Sequence, residues 1–266
     1  MRKLEGTERD AMILEIIRRI EGDEQVIGAP ERTAIWERGW HDALLKFKAH
    51  PVEASLVPAF IRSNQTLRIK GDLWVDTNEA ELEYVRGRQN FIGQLLQHCD
   101  AIAEFGCGTG FNLVALAKRF PKKQFYGFDF ASSAVDLTNT AGWSLQLPIL
   151  AACFNMLHPN AEIPVGAGVF TFGSVEQLAG NFQPFIEYLI QQQPSMVVHT
   201  EPVVELYDPA DQLDALAIAF HNKRGYTTGL LPWLEKDERV QIIDVRRANF
   251  GSLMQEGYSL IAWRPK

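Results

Sequence analysis

The residues best suited to chemistry are Glu104-Phe105-Gly106-Cys107-Gly108-Thr109-Gly110 and a second acid, Asp129. Glycines at alternate positions let the backbone turn sharply and approach a ligand without intervening side chains. The apolar run Ala101, Ile102, Ala103 and Phe105 predicts a strand ahead of them, and Phe111 to Arg119 predicts a helix behind. The unpaired N–H groups that open this helix lie beside the loop, ready for an anionic group. After the Pro121-Lys122-Lys123 turn, Gln124 to Phe128 form the next strand. Asp129 then falls at a carboxyl end, where a short acid can accept hydrogen bonds from a ribose diol. The plain alternative is a βαβ unit whose glycines only permit tight packing. Acid, loop, helix and second acid in register point instead to a nucleoside-cofactor site.

Two phosphate-binding readings fit poorly. A dinucleotide fingerprint wants its third glycine or an alanine where this chain has Phe111, and no GK[ST] follows for a triphosphate loop. Glu104, two residues before the first glycine, has no use in a loop that cradles phosphate. The stretches Glu104 to Gly110 and Gly127-Phe128-Asp129 instead resemble the first two motifs of the class I S-adenosylmethionine-dependent methyltransferases, in which an acid precedes G-x-G-x-G and a second acid ends the next strand. The resemblance implies that the loop wraps the methionine part of the cofactor and that the second acid holds the ribose. It carries cofactor contacts onto Glu104, Gly106, Cys107, Gly108, Gly110, Asp129 and Phe130.

Beyond a helix capped near Ala131-Ser132-Ser133, a third strand from Leu147 to Phe154 ends at Asn155-Met156. The resembled family commonly has an acid here that accepts from the adenine amino group. Asn155 departs from the acid, although its carbonyl oxygen still accepts. Met156 either lies on the adenine face or fills a core gap. The resemblance covers about residues 80 to 266, its specific motifs lying in the first third of that span. It implies an α/β, Rossmann-like, doubly wound sheet of seven mostly parallel strands with an antiparallel last strand.

The N-terminal elements would position this core. Arg9 to Ile20 places Met12, Ile13, Ile16, Ile17 and Ile20 on one helical face. Gly28-Ala29-Pro30 breaks the chain, and Pro30 suits the first turn of a second helix carrying Trp36, Trp40, Leu44 and Phe47 as a stripe. That stripe reads as packing, or as a lid lending one aromatic wall to a substrate pocket. Ser63 to Trp74 predicts a small hairpin with its turn at Lys70-Gly71-Asp72, and Asn78 to His98 a helix leading into the first core strand. The resemblance implies that residues 1–77, small hairpin included, form a helical cap and residues 78–266 the cofactor-binding domain.

Composition narrows the partners. A chain of 266 residues, 46% apolar and with a formal charge of −7, suits a globular protein and argues against a broad nucleic-acid footprint. Three scattered cysteines without a C-x-x-C pair suggest neither a disulfide framework nor a zinc site, and fit a reducing cytoplasm. Neither a signal peptide nor a run long enough for a bilayer is visible, so no membrane partner is expected. A homodimer is compatible with such a chain.

A fourth strand, Val169 to Phe172, runs into Gly173-Ser174-Val175-Glu176-Gln177, and a fifth, Ser195 to Thr200, into Glu201-Pro202. Carboxyl ends of strands in such sheets line ligand crevices. Glu176 is a candidate substrate contact or simply a carboxylate at a helix start. If the acceptor must lose a proton, His199, His221 and Glu201 are candidates for the catalytic base. Arg224 and Tyr226 could anchor a carboxylate or phosphate on the acceptor. The expected activity is S-adenosylmethionine-dependent, metal-independent methyl transfer to an oxygen or nitrogen of a polar small molecule, within a biosynthetic pathway. The alternatives are a peptide or protein methyltransferase and a non-catalytic cofactor-binding partner protein. A nicotinamide oxidoreductase ranks last.

Overall fold

A computed structural model describes residues 1–28 and 31–266; the expected placement of Pro30 in the first turn of the second helix lies outside them. The main sheet has seven strands. In chain order they are β1 (Ala101–Phe105), β2 (Gln124–Asp129), β3 (Ile149–Cys153), β4 (Gly168–Phe172), β5 (Met196–Glu201), β6 (Val240–Arg246) and β7 (Ser259–Pro265). Their spatial order is β3-β2-β1-β4-β5-β7-β6. The first five run parallel, and β7 is antiparallel to both of its neighbours, as expected. All five residues of β1 are buried, which is why this strand reads as a continuous apolar run broken only by Glu104. The chain leaves β1 toward β2 on one side and returns at β4 on the other. The switch point, and with it the crevice, therefore lies at the carboxyl ends of β1 and β4.

Among the described residues, eight α-helices flank the strands: α1 (Gly6–Glu21), α2 (Glu31–Ala49), α3 (Ala80–Leu95), α4 (Phe111–Arg119), α5 (Ser132–Ser144), α6 (Gln183–Gln192), α7 (Gln212–Arg224) and α8 (Leu230–Lys236). Helix α1 turns Ile13 and Ile16 inward and packs along α7, while α2 packs along α5. The hairpin forms between Thr66–Ile69 and Asp72–Val75. Lys70 and Gly71 both hold positive φ, 52° and 79°, as a primed two-residue turn requires.

The third strand is shorter than the expected Leu147 to Phe154. Gly229, at φ 82°, stands just ahead of α8, which starts at Leu230. Phe250–Ser252, between the last two strands of the main sheet, is itself a strand that pairs with Thr66–Ile69. A four-stranded antiparallel sheet thus joins Arg2–Lys3, the hairpin and this C-terminal segment. Leu44, Phe47, Leu56 and Leu67 share one hydrophobic core with Ile102, Phe125 and Leu260.

Candidate active site

The glycine loop follows β1 at the switch point, with Gly106, Gly108 and Gly110 at φ 75°, 51° and 72°. A Cβ on Gly106 would stand 2.3 Å from Ser174 Cβ, and one on Gly110 would stand 2.9 Å from Thr138 Oγ1. At Gly108 it would press on the Trp40 indole at 3.0 Å. Glycine is therefore required by both torsion and space. The loop is held from below by Asp129, whose Oδ2 accepts from Gly108 N at 3.0 Å while Oδ1 accepts from Ala131 N at 3.0 Å. Burial pushes the Asp129 carboxyl up to about 6, against the pull of these N–H bonds, so it is ionised at neutral pH.

Glu104 is fully buried. Its Oε1 accepts from Asn112 Nδ2 at 2.7 Å, and Asn112 is fixed in turn by Gln89. Its Oε2 has no partner. Burial, and more weakly the nearby Asp129, raise this carboxyl well above its ordinary range.

Two adjoining cavities open here. The outer one holds about 1020 Å³ of atom-free space, mouth included, and its walls include Arg32, Trp36, Asp129, Phe130, Asn155, Met156 and Gln177. The inner one holds about 510 Å³ on the same measure, between Glu104, Cys107, Asn112 and Phe172 on one side and Pro58, Phe60 and Ile61 on the other. Trp36, Trp40, Gly106 and Gly173 line both. The tryptophan stripe therefore divides. Leu44 and Phe47 are core residues, whereas Trp36 and Trp40, stacked at 5.5 Å, wall the cavities.

The cofactor candidates Glu104, Gly106, Cys107, Gly108, Asp129, Phe130, Asn155 and Met156 all line these cavities, while Gly110 underlies the loop against Thr138. The catalytic and substrate candidates do not join them. His199 is buried beneath the sheet end with Nδ1 2.9 Å from Thr171 Oγ1, and burial lowers its pKa to about 3. It is neutral at physiological pH, and neither cavity reaches it. His221 is also buried, and its Nε2 lies 2.9 Å from Thr227 O. A carbonyl only accepts, so that nitrogen carries the proton.

Glu201 accepts from the backbone N–H groups of Ser174, Val175 and Glu176, tying the end of β5 to the loop after β4. Arg224 is engaged with Asp23 and with the Tyr226 hydroxyl, far from a free anchor. Glu176 faces a small cleft beside Glu201, Glu205 and Thr227.

Sequence reasoning missed Asn112, Phe60 and Ile61. Only Asn112 left a signal, as a polar residue within the apolar first two turns of its helix; the others reach the site through tertiary packing.

The buried acids at the ends of β4 and β5 have a cost that depends on pH. Burial, then the neighbouring Glu201 charge, raises Glu176 from 4.5 to about 8. An acid whose folded pKa is raised keeps its proton while the unfolded chain releases it. Stability therefore falls as pH rises from about 4.5 to about 8. Glu176→Gln is expected to flatten this fall and to raise the thermal midpoint at pH 8 by a few degrees, with little change at pH 5. Melting curves at both pH values test this, and equal slopes in the two proteins would remove Glu176 from the account.

No protein-family profile matches the chain. Over 106 residues it is 35% identical to a trans-aconitate 2-methyltransferase of Pseudomonas aeruginosa, a match covering 37% of this chain and 36% of that protein. The chain thus matches about a third of the length of its curated relatives. Its fold is shared with the N-methyltransferase NodS of Bradyrhizobium japonicum in complex with S-adenosyl-L-homocysteine. That structure superposes with a TM-score of 0.51 at 14% identity, over 85% of this chain and 98% of NodS. The chain thus shares sequence with a methyltransferase over about a third of its length and shares the fold of another over most of it. A shared fold leaves the reaction open. The [4+2]-cyclase SpnF has the same fold, with a TM-score of 0.58 at 12% identity over 92% of this chain and 98% of its own.

Proposed function

We propose that this chain is an S-adenosylmethionine-dependent methyltransferase acting on an oxygen or nitrogen of a small molecule, within a biosynthetic pathway. The observation that carries the reading is the unpartnered Glu104 Oε2, buried on the wall of a cavity that continues to Asp129. An ammonium donor would satisfy that oxygen, and a ribose diol would find an ionised acceptor in Asp129. The side-chain-free loop leaves room for the chain joining these two groups. Glu104 would hold the amino acid end, Asp129 the ribose, and Asn155 and Met156 the base. When bound, the cofactor supplies a methyl group already activated on a sulfonium.

The protein's own contribution is positioning and exclusion of water. His199 and His221 serve packing on this reading, and Glu201 acts through the Ser174–Glu176 backbone that it clamps. Arg224 and Tyr226 anchor the N-terminal segment through Asp23 instead of touching substrate. Residues 1–77 act as the cover over the catalytic part, since Trp36, Trp40, Pro58, Phe60 and Ile61 all come from them. Among the described residues no helix is long and apolar enough to cross a membrane.

Calorimetric titration with S-adenosylmethionine, S-adenosylhomocysteine and NAD tests the reading. Binding of the first two without the third is the expected result. Binding of NAD alone, or of none, would overturn it.

A further inference from the structure

The inner cavity's composition bears on what is methylated. Away from the glycine loop its wall is built from Trp40, Pro58, Phe60, Ile61, Val85 and Phe172, which come from α2, the segment after it, α3 and the end of β4. Among the described residues, no Lys, Arg or His lines it, and its one carboxyl is that of Glu104. Phe60 is 50% exposed and stands at the mouth, an aromatic ring left in water beside an apolar chamber. Among the described residues, Arg32 is the one cation lining the outer cavity. Its guanidinium donates to Gln25 and Gln177 and lies 5.7 Å from the centroid of Trp36. The charged stretches that suggested a polar acceptor, around Glu201 and Arg224, face elsewhere.

A di- or tricarboxylate entering such a chamber would shed its hydration with no cation to replace it. A planar carbon skeleton would gain from the same walls in proportion to the area covered. Resting on the methyltransferase reading, we infer that the acceptor has an apolar, planar body bearing one nucleophilic oxygen or nitrogen, and that Phe60 and Ile61 select it. The acceptor atom supplies the electron pair for the new bond to carbon, while the pair of the broken C–S bond stays with sulfur. Any proton on the acceptor leaves to water at the mouth, because Glu104 is committed to the cofactor's cationic end.

The test measures binding of 2-naphthol and of citrate to the protein saturated with S-adenosylhomocysteine, read by quenching of Trp36 and Trp40 and by calorimetry. Naphthol is expected to bind at least about tenfold more tightly than citrate. Phe60→Ala is expected to weaken naphthol about tenfold with S-adenosylhomocysteine affinity kept. Phe60→Arg, placed at an exposed position that tolerates charge, is expected to bring citrate binding up. Tighter citrate binding in the unaltered protein, or indifference of both ligands to both substitutions, overturns the inference. If S-adenosylhomocysteine itself fails to bind, the methyltransferase reading falls. Naphthol quenching in the free protein then still reports whether the chamber selects apolar bodies.

Discussion

Replacing Asp129 with alanine is expected to weaken S-adenosylmethionine and S-adenosylhomocysteine binding by roughly tenfold to a hundredfold. Two effects add. The ribose loses a charged acceptor, and Gly108 N and Ala131 N lose the oxygens that hold loop and α5 start in place. Asp129→Asn separates them, because its one remaining oxygen can still accept from Gly108 N while the charge is gone. It should fall between the parent and the alanine variant. The pH dependence supplies a second readout. With the free carboxyl at about 6, the ionised acceptor is present above that pH and is lost below it. Affinity in the parent protein should therefore drop between about pH 7.5 and pH 5, and the alanine variant should lose the part of that dependence that Asp129 supplies, keeping any that Glu104 adds. Calorimetric titrations at the two pH values measure both effects. Equal affinity of parent and alanine variant would take Asp129 out of the cofactor site.

The parts of this site that could be read from the sequence are those whose chemistry is local. Gly106, Gly108 and Gly110 announce positive φ, Glu104 stands out as an acid in a buried strand, and Asp129 ends a short aromatic-rich run. All are placed by neighbours within a few positions. His199 and Glu201 are candidates by residue type at a strand end, and His221, Arg224 and Tyr226 by residue type alone, which does not reveal which way a side chain faces. His199 sits in β5 opposite Thr171 of β4, so strand pairing decides its partner. Arg224 was legible as a cation, but Asp23, 201 positions away, was not legible as its counter-charge. The aromatic wall was half visible. The i, i+4 spacing of Trp36 and Trp40 puts them on one helical face, yet only the packing of α2 along α5 shows that this face meets Gly108. Phe250–Ser252 was missed for the same reason, since a three-residue strand exists only through the hairpin it pairs with.

That same hairpin is locked by charge, and Asp214→Ala is expected to cost about 3–5 kcal/mol of stability. Asp214 is 2% exposed, and its Oδ1 accepts from Arg68 at 2.9 Å and from Arg247 at 2.6 Å. Its Oδ2 accepts from Asp208 N. Burial alone would raise this carboxyl, but the Arg247 bond and the remaining contacts outweigh it and leave the pKa below its ordinary value. Its contribution is therefore present above the unfolded value, near 4, and lost on acidification. Arg247 keeps Glu256 when Asp214 is removed, whereas Arg68, 1% exposed, is left with the face of Tyr207 as its remaining contact. The stranded guanidinium dominates the loss. At roughly 2–4 °C per kcal/mol for a chain of this size, the thermal midpoint should fall on the order of 10 °C. The double variant Arg68→Met/Asp214→Leu should recover most of that fall, because a buried pair replaced by apolar groups of similar volume is often neutral or better. Melting the three proteins at pH 7 decides the matter. If the double variant melts no higher than Asp214→Ala, the loss lies in the Asp208 and Arg247 contacts, and Arg68 is not what strands the charge.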